Sequence, residues 1–369
     1  MLSYIVRRLM LVPLTLFGIL VINFAVIQFV PGGPIEQILA ESQGKAGDTA
    51  GRISGEQNVD LGNSGNSSTL PGQTSSKYRG AQGVDPELIR ELERQFGFDK
   101  PAWERFVDMS VNYLTFDLGN SYFQDRSIVD LVIEKLPVSI SLGLWTFLLT
   151  YLISIPLGVR KAVRDGTRFD IVTSWVVIIG NAIPGFLFAI LLIIIFAGGR
   201  YLDWFPLRGL VSHDFDQLSW WEQVLDYLWH MALPVLSLVI GSFAGMTLLT
   251  KNSFLDEINK QYVLTARAKG LTESRVLYGH VFRNAMLLII SGFPTAFLSL
   301  IFTGSFLIET IFSLDGLGLM GFEAIINRDY AVVLGTLYAF TLIGVIFGII
   351  NDVMYHIVDP RIDFESREV

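Results

Sequence analysis

Along the chain, long apolar runs alternate with short polar connectors. Six runs, roughly Leu9–Val30, Leu136–Val159, Ile171–Ala197, Met231–Thr250, Met286–Ile308 and Ala331–Ile350, have the length needed to cross a bilayer, which takes about 20 mostly apolar residues. None carries the polar face of a helix from a soluble core. The pattern predicts six transmembrane helices. Two connectors break the rhythm: a segment of 31–135 after the first run, and the polar stretch Lys251–Ala285 between the fourth and fifth.

Composition supports this reading. Hydrophobic residues make up 51% of the 369 and charged residues 17%, with a mean hydropathy of +0.49, against about 25% charged in soluble domains. The chain therefore reads as an all-α integral membrane protein. Cysteine is absent, which excludes disulfides, thiolate metal sites and a cysteine nucleophile. Basic residues in short loops set orientation. Arg7 and Arg8 precede the first run, and Arg160, Lys161, Arg164 and Arg168 follow the second, which predicts cytoplasmic N- and C-termini. The inner side then carries 14 basic and 10 acidic residues, and the outer side 13 and 25, so the net charge of −8 is an outside property. It implies no basic partner within the cell and no nucleic acid. The run after Arg8 is too long for a signal peptide, and "FVPGGP" offers no small-x-small cleavage site, so the first span is expected to stay attached.

The outer segment 31–135 begins with an insert, 42–84, rich in Gly, Ser, Asn and Gln. Such a composition buries too little surface to offset its ordering entropy, and a mobile insert is expected. Helix is expected over 85–118, first in "VDPELIRELERQFGF", where Asp85 can cap, Pro86 suits the first position and Glu87 complements the dipole. An amphipathic piece, "PAWERFVDMSVNYLTF", follows, and the two would form a small helical cap outside. The core then covers 136–358, with a C-terminal tail over 359–369.

Several motifs fail. "GLGLMG", Gly316–Gly321, fits G-x-G-x-x-G but lacks the preceding strand that a dinucleotide site needs, so its glycines are expected to make a tight re-entrant turn. No P-loop exists, and His213, His230, His280 and His356 lack metal spacing. Nothing supports an enzyme, a cofactor or a metal site. Within the runs, "GNAIPG", "GSFAG" and "GVIFG" allow either close helix approach or a break lining a polar path.

The stretch Lys251–Ala285 is too polar to span and too periodic for a plain loop. Tyr262, Thr265, Ala266 and Lys269 recur at helical spacing, with Val263, Arg267 and Gly270 beside them. Gly270 should break that helix, and Thr272 with Arg275 should begin another. A helix–break–helix held between two spans is a presented element, offering small residues and cations to an acidic groove.

Here the chain resembles a known family. "YVLTARAKGL" and "HVFRNA" are similar to the cytoplasmic loop of ABC importer permeases of the dipeptide/oligopeptide/nickel group. "FGFDKPAWERFV", "FDLGNSY", "EKLPVSISLG", "WFPLRG", "ETIFSLDGLG", "INRDYAVVLG" and "DPRIDF" extend the likeness in order over nearly the whole chain. The long outer loop resembles the B-type member of the permease pair, and the Gly/Ser insert resembles most the Yej-type peptide and microcin C importers. The resemblance implies a type I ABC importer permease fold of six transmembrane helices, with a periplasmic insert after the first. It implies residence in a bacterial inner membrane and a heterodimer with a second, C-type permease. Two ATPase domains, separate or fused, and a periplasmic peptide-binding protein would complete the assembly. The site residues it implies are Ala266 and Gly270 at the coupling positions, surrounded by Tyr262, Thr265, Arg267, Ala268, Lys269 and Leu271. Two positions depart from the pattern: Leu248 and Lys251 stand where a basic pair is common, and Leu288 where a proline is frequent. The implied cargo is peptide, with nickel or a self-contained secondary transporter as the alternatives.

Overall fold

The structure, a computed structural model, describes residues 2–29, 99–121, 123–199, 201–302 and 306–358. The Gly/Ser-rich insert, the helix expected from Asp85 and the C-terminal tail lie outside the described residues. Among the described residues regular structure is helical; the one β pairing is an isolated bridge between Asn120 and Ser127. The helices are α1 (Leu2–Phe29), α2 (Ala102–Leu114), α3 (Ile128–Val163), α4 (Arg168–Ala182), α5 (Gly185–Phe196), α6 (Trp220–Ile258) and α7 (Gln261–Ala268). After them come α8 (Glu273–Val276), α9 (Phe282–Ser291), α10 (Phe293–Phe302), α11 (Phe306–Ile311), α12 (Leu317–Ile326) and α13 (Tyr330–Val358).

Among the described residues, five stretches are long and apolar enough to cross a membrane: Arg8–Val26, Ile128–Val163, Trp220–Ile258, Glu273–Ser299 and Tyr330–Met354. The third predicted span, Ile171–Ala197, is not one continuous helix. It is a pair, α4 and α5, whose axes meet at 93°. Pro184 has no N–H to give the ladder and disfavours the helical region for the residue before it. Ile183 accordingly sits at φ −86°, ψ 118°, and the helix restarts at Gly185. "GNAIPG" gives both a break and a close helix approach. It breaks the helix, and its glycines also lie close to α6, Gly180 near Ile240 and Gly185 near the Ser237 carbonyl.

Helix ends differ from the apolar runs because a helix leaving the bilayer no longer needs apolar residues. α6 begins at Trp220 instead of Met231, fixed by a capping box in which the Ser219 N–H donates to Glu222 Oε2 at 2.9 Å. It continues past Thr250 to Ile258.

The chain forms two compact units, one of residues 1–13, 130–323 and 339–369, the other of 14–129 and 324–338. The larger holds two apolar clusters. One joins Leu142, Ala189, Leu192, Met231, Val239 and Phe312; the other joins Val159, Phe254, Val263, Val276, Val281 and Ile289. In the same unit, the turn after α11 wraps a buried carboxyl group. Glu309 Oε2 accepts from the Leu319 N–H at 2.7 Å, and a Cβ on Gly316 would lie 2.7 Å from that carboxyl. This corrects the expected glycine turn. Leu317–Ile326 is helical, the left-handed residue is Ser313 at φ 52°, and Gly316 is required by the carboxyl that fills its side-chain space.

In the smaller unit, α2 packs against α1 and the start of α13. Phe106 meets Phe17 and Phe24 edge-on at 6.0 and 5.4 Å, and Tyr113 meets Tyr338 at 5.1 Å with the rings tilted by 58°. The Asn23 amide donates to the Leu334 carbonyl at 3.2 Å. Asp329 caps α13 through the Val332 N–H and accepts from Ser121 Oγ at 2.5 Å.

α3 and α6 come close at Gly158, where an added Cβ would fall 2.5 Å from Thr250 Cβ and 2.8 Å from the Thr247 carbonyl oxygen. Gly158→Ala must push α3 from α6 and should destabilise by about 1–3 kcal/mol, read as a lower unfolding midpoint of the detergent-purified protein. Gly241→Ala, with nothing within 4 Å of its Cβ, should leave that midpoint unchanged or raised.

Candidate functional site

From Ile258 the chain turns through Asn259 and an extended Lys260 into α7. α7 ends in a Schellman motif: the Gly270 N–H reaches the Arg267 carbonyl at 2.9 Å and the Leu271 N–H reaches that of Ala266 at 3.4 Å. The motif needs a left-handed residue, and Gly270 supplies it at φ 79°. Thr272 then caps α8, which passes through a single π turn, Leu277–Val281, into α9. The helix–break–helix read from the sequence is present, and α6 and α9 run directly into it.

The element has two faces. Inward, Val263 is fully buried and Ala266 nearly so, both in the cluster with Phe254 of α6, Val159 and Ala162 of α3, and Ala285 and Met286 of α9. Tyr262 and Leu271 lie half-buried against the same cluster. The Tyr262 hydroxyl donates to Glu257 Oε2 at 2.8 Å, and burial raises its phenol above the ordinary value. Ser253 Oγ ties α6 to the Ala285 carbonyl at 2.7 Å.

Outward stand Thr265, Arg267, Ala268, Lys269 and Gly270, all exposed. Of the eight residues singled out from the sequence, these five share one surface, while Tyr262, Ala266 and Leu271 line the inner side. Ala266 and Gly270 therefore lie on different faces. Sequence reading missed Leu264, which is 58% exposed in the middle of the outer face. Its signal was present, a large apolar residue out of phase with Val263 and Ala266. Arg267 is also less available than its charge suggests. Its Nε and Nη2 meet both oxygens of Glu273, at 2.9 and 3.0 Å. Lys269 makes no ion pair with a described residue and leaves a positive charge on this face.

A second constellation, unmarked by any motif, lies where α3, α4 and α6 meet. Lys161 is wholly buried, its Nζ 2.9 Å from Asp170 Oδ1 and donating to the Asp170 carbonyl at 2.9 Å, Thr173 Oγ1 at 3.0 Å and Ser174 Oγ at 2.7 Å. Asp170 Oδ2 faces Lys251 at 2.8 Å, and Lys251 also pairs with Asp165 at 2.7 Å. Two cations and two carboxylates thus form a neutral group joining three helices. Lys251, read from the sequence as the start of the polar connector, belongs to α6 and is spent here. Arg160 and Arg164 lie over the Phe169 ring. No His, Asp or Glu grouping among the described residues could hold a metal ion.

Residues 154–364, which include both constellations, match the family of binding-protein-dependent transport system inner membrane components. The chain is 58% identical to the peptidoglycan transport system permease protein YejB of Agrobacterium fabrum, over all of both chains. It is 56% identical to the inner membrane ABC transporter permease protein YejB of Escherichia coli O157:H7, over 99% of this chain and all of that one. Identity to the oligopeptide transport system permease protein OppB of Haemophilus influenzae is 31%, over 78% of this chain and 90% of that one.

Removing one member of a buried charge group strands the others. Lys161→Ala should therefore destabilise by about 3–5 kcal/mol, whereas the exposed Arg164→Ala should stay within about 0.5 kcal/mol of the parent. Denaturant unfolding of the purified chain in detergent measures both.

Proposed function

The chain belongs to the binding-protein-dependent transport system inner membrane components, and from that premise we propose that it is the permease subunit of an ATP-driven importer of peptides. It is a multi-pass inner-membrane protein with the all-α, type I importer fold of that family. In this reading both termini and α7 face the cytoplasm, and α7 docks on separate P-loop ATPase subunits. A second, C-type permease completes the path, and an external binding protein delivers cargo. Relatives named for oligopeptide and peptidoglycan transport support peptides as the substrate class.

The observation that carries this reading is the two-faced α7. Its outer face, Leu264, Thr265, Ala268, Lys269 and Gly270, is open to a partner, while its inner face shares one apolar cluster with α3, α6 and α9. A displacement imposed on the outer face cannot leave those helices behind without exposing Val263 to water. ATP-driven closure of the ATPases then tilts the attached spans together and alternates access to a path between the two permeases. This chain hydrolyses nothing itself.

Gly270 separates docking from folding. A Cβ there meets nothing within 4 Å among the described residues, and Asn tolerates the left-handed region. Gly270→Asn should leave expression and membrane insertion intact but abolish peptide uptake and peptide-stimulated ATP hydrolysis in the assembled transporter. Leu264→Glu should do the same. Wild-type uptake by both variants would overturn α7 as the docking element. Cells lacking this chain should lose uptake of a labelled oligopeptide and keep uptake of nickel; the opposite result would overturn the substrate.

A further inference from the structure

α2 has an apolar arc wider than its contacts use. Phe106 and Tyr113 pack on α1 and Tyr338. Next to them around the helix run Trp103, Val107, Val111 and Leu114, at spacings of four, four and three, with exposures of 67, 47, 53 and 59%. The opposite side carries Glu104, Asp108 and Asn112, with Lys100 paired to Asp108 at 2.7 Å. Four large exposed apolar side chains on one stripe of a 13-residue helix call for a partner.

We infer that α2 is an interfacial helix, lying in the bilayer surface with Trp103, Val107, Val111 and Leu114 immersed among lipid chains. Three observations favour lipid. First, the stripe is continuous with a membrane-facing surface: Phe106, beside it on the wheel, packs on Phe17 of α1, and α1 itself exposes Leu14, Phe17 and Ile22. Second, the stripe is made of bulky residues with no glycine, alanine or serine, whereas helices that pack on helices in membranes favour small residues at the contact. Third, a tryptophan begins it and charges fill the other side, the division expected of a helix at the water–hydrocarbon boundary. The polar side carries Glu104, Arg105 and Asp108, the last paired with Lys100, and so has no excess of cations; apolar burial drives the insertion and anionic headgroups do not. Pinned in this way, α2 fixes the depth of the half of α1 that it packs against. The inference rests on α1 being a membrane span and does not depend on what is transported.

The chain has no cysteine, so single cysteines can be placed in it cleanly. Val107→Cys, Val111→Cys, Asp108→Cys and Asn112→Cys are each spin-labelled in the full-length chain, assembled with its transporter subunits whose own thiols are blocked. The assemblies are reconstituted in phosphatidylethanolamine/phosphatidylglycerol vesicles. Oxygen should relax the labels at 107 and 111 more than a water-soluble nickel chelate does, and the order should reverse at 108 and 112. Labels at 107 and 111 that are immobilised and shielded from both relaxants would mean that a protein partner covers the stripe. Labels there that the chelate relaxes most would mean that it faces water. Either result overturns the proposal.

Discussion

The structure turns on the burial of Val263 and Ala266 among residues of α3, α6 and α9. A polar segment between two membrane spans could hang free, and it would then transmit nothing. Burying a valine side chain contributes about 1.5–3 kcal/mol, and moving α7 alone would forfeit that and open a gap over Phe254 and Val276. Keeping the contacts and shifting the helix ends together is the lower-energy response. The same contacts leave the other side of α7, with Leu264 and Lys269, exposed among the described residues.

The charge group at Lys161 extends this coupling to a fourth helix. Its two cations and two carboxylates balance, and Lys161 is fully satisfied by Asp170, Thr173 and Ser174, so its desolvation is offset where an unpaired ammonium would be intolerable. Its members come from the end of α3, the start of α4 and the last third of α6. α4 is thereby tied to the helices that hold α7. Beyond Pro184 the chain changes allegiance: Ala189 and Leu192 of α5 join the other cluster, with Met231 and Phe312. The bend thus lies between a helix tied to the core that holds α7 and a helix bound to the other core.

Much of this was legible in the sequence. Hydropathy runs located the membrane-crossing segments, since nothing else needs about 20 apolar residues in a row. Pro184 marked the break, and Gly270 the end of α7. Helix ends were not legible, because α6 leaves its apolar run through ordinary helix formers and stops only at Asn259. Nor was the angle at Pro184, which depends on what α4 and α5 each pack against. In the site, periodicity identified α7 but not which stripe faces inward. Small residues at Ala266 and Gly270 suggest one contact surface, yet buried Val263 draws Ala266 to the inner side. Lys161 was invisible for a different reason. It sits among Arg160, Arg164 and Arg168, and only its tertiary partners distinguish it from a solvated basic run.

Three glycines show how one residue type answers different demands, and why a motif alone misleads. Gly158 is small because α6 leaves no room for a Cβ, and Gly316 because the Glu309 carboxyl fills that space. Gly270 has open space around it and is glycine for its backbone angle. The first two are therefore internal constraints, fixed by groups of this chain. At Gly270 the chain itself sets only a conformational requirement, which asparagine can also meet. Any stricter demand for glycine there would have to come from a surface that approaches α7 from outside.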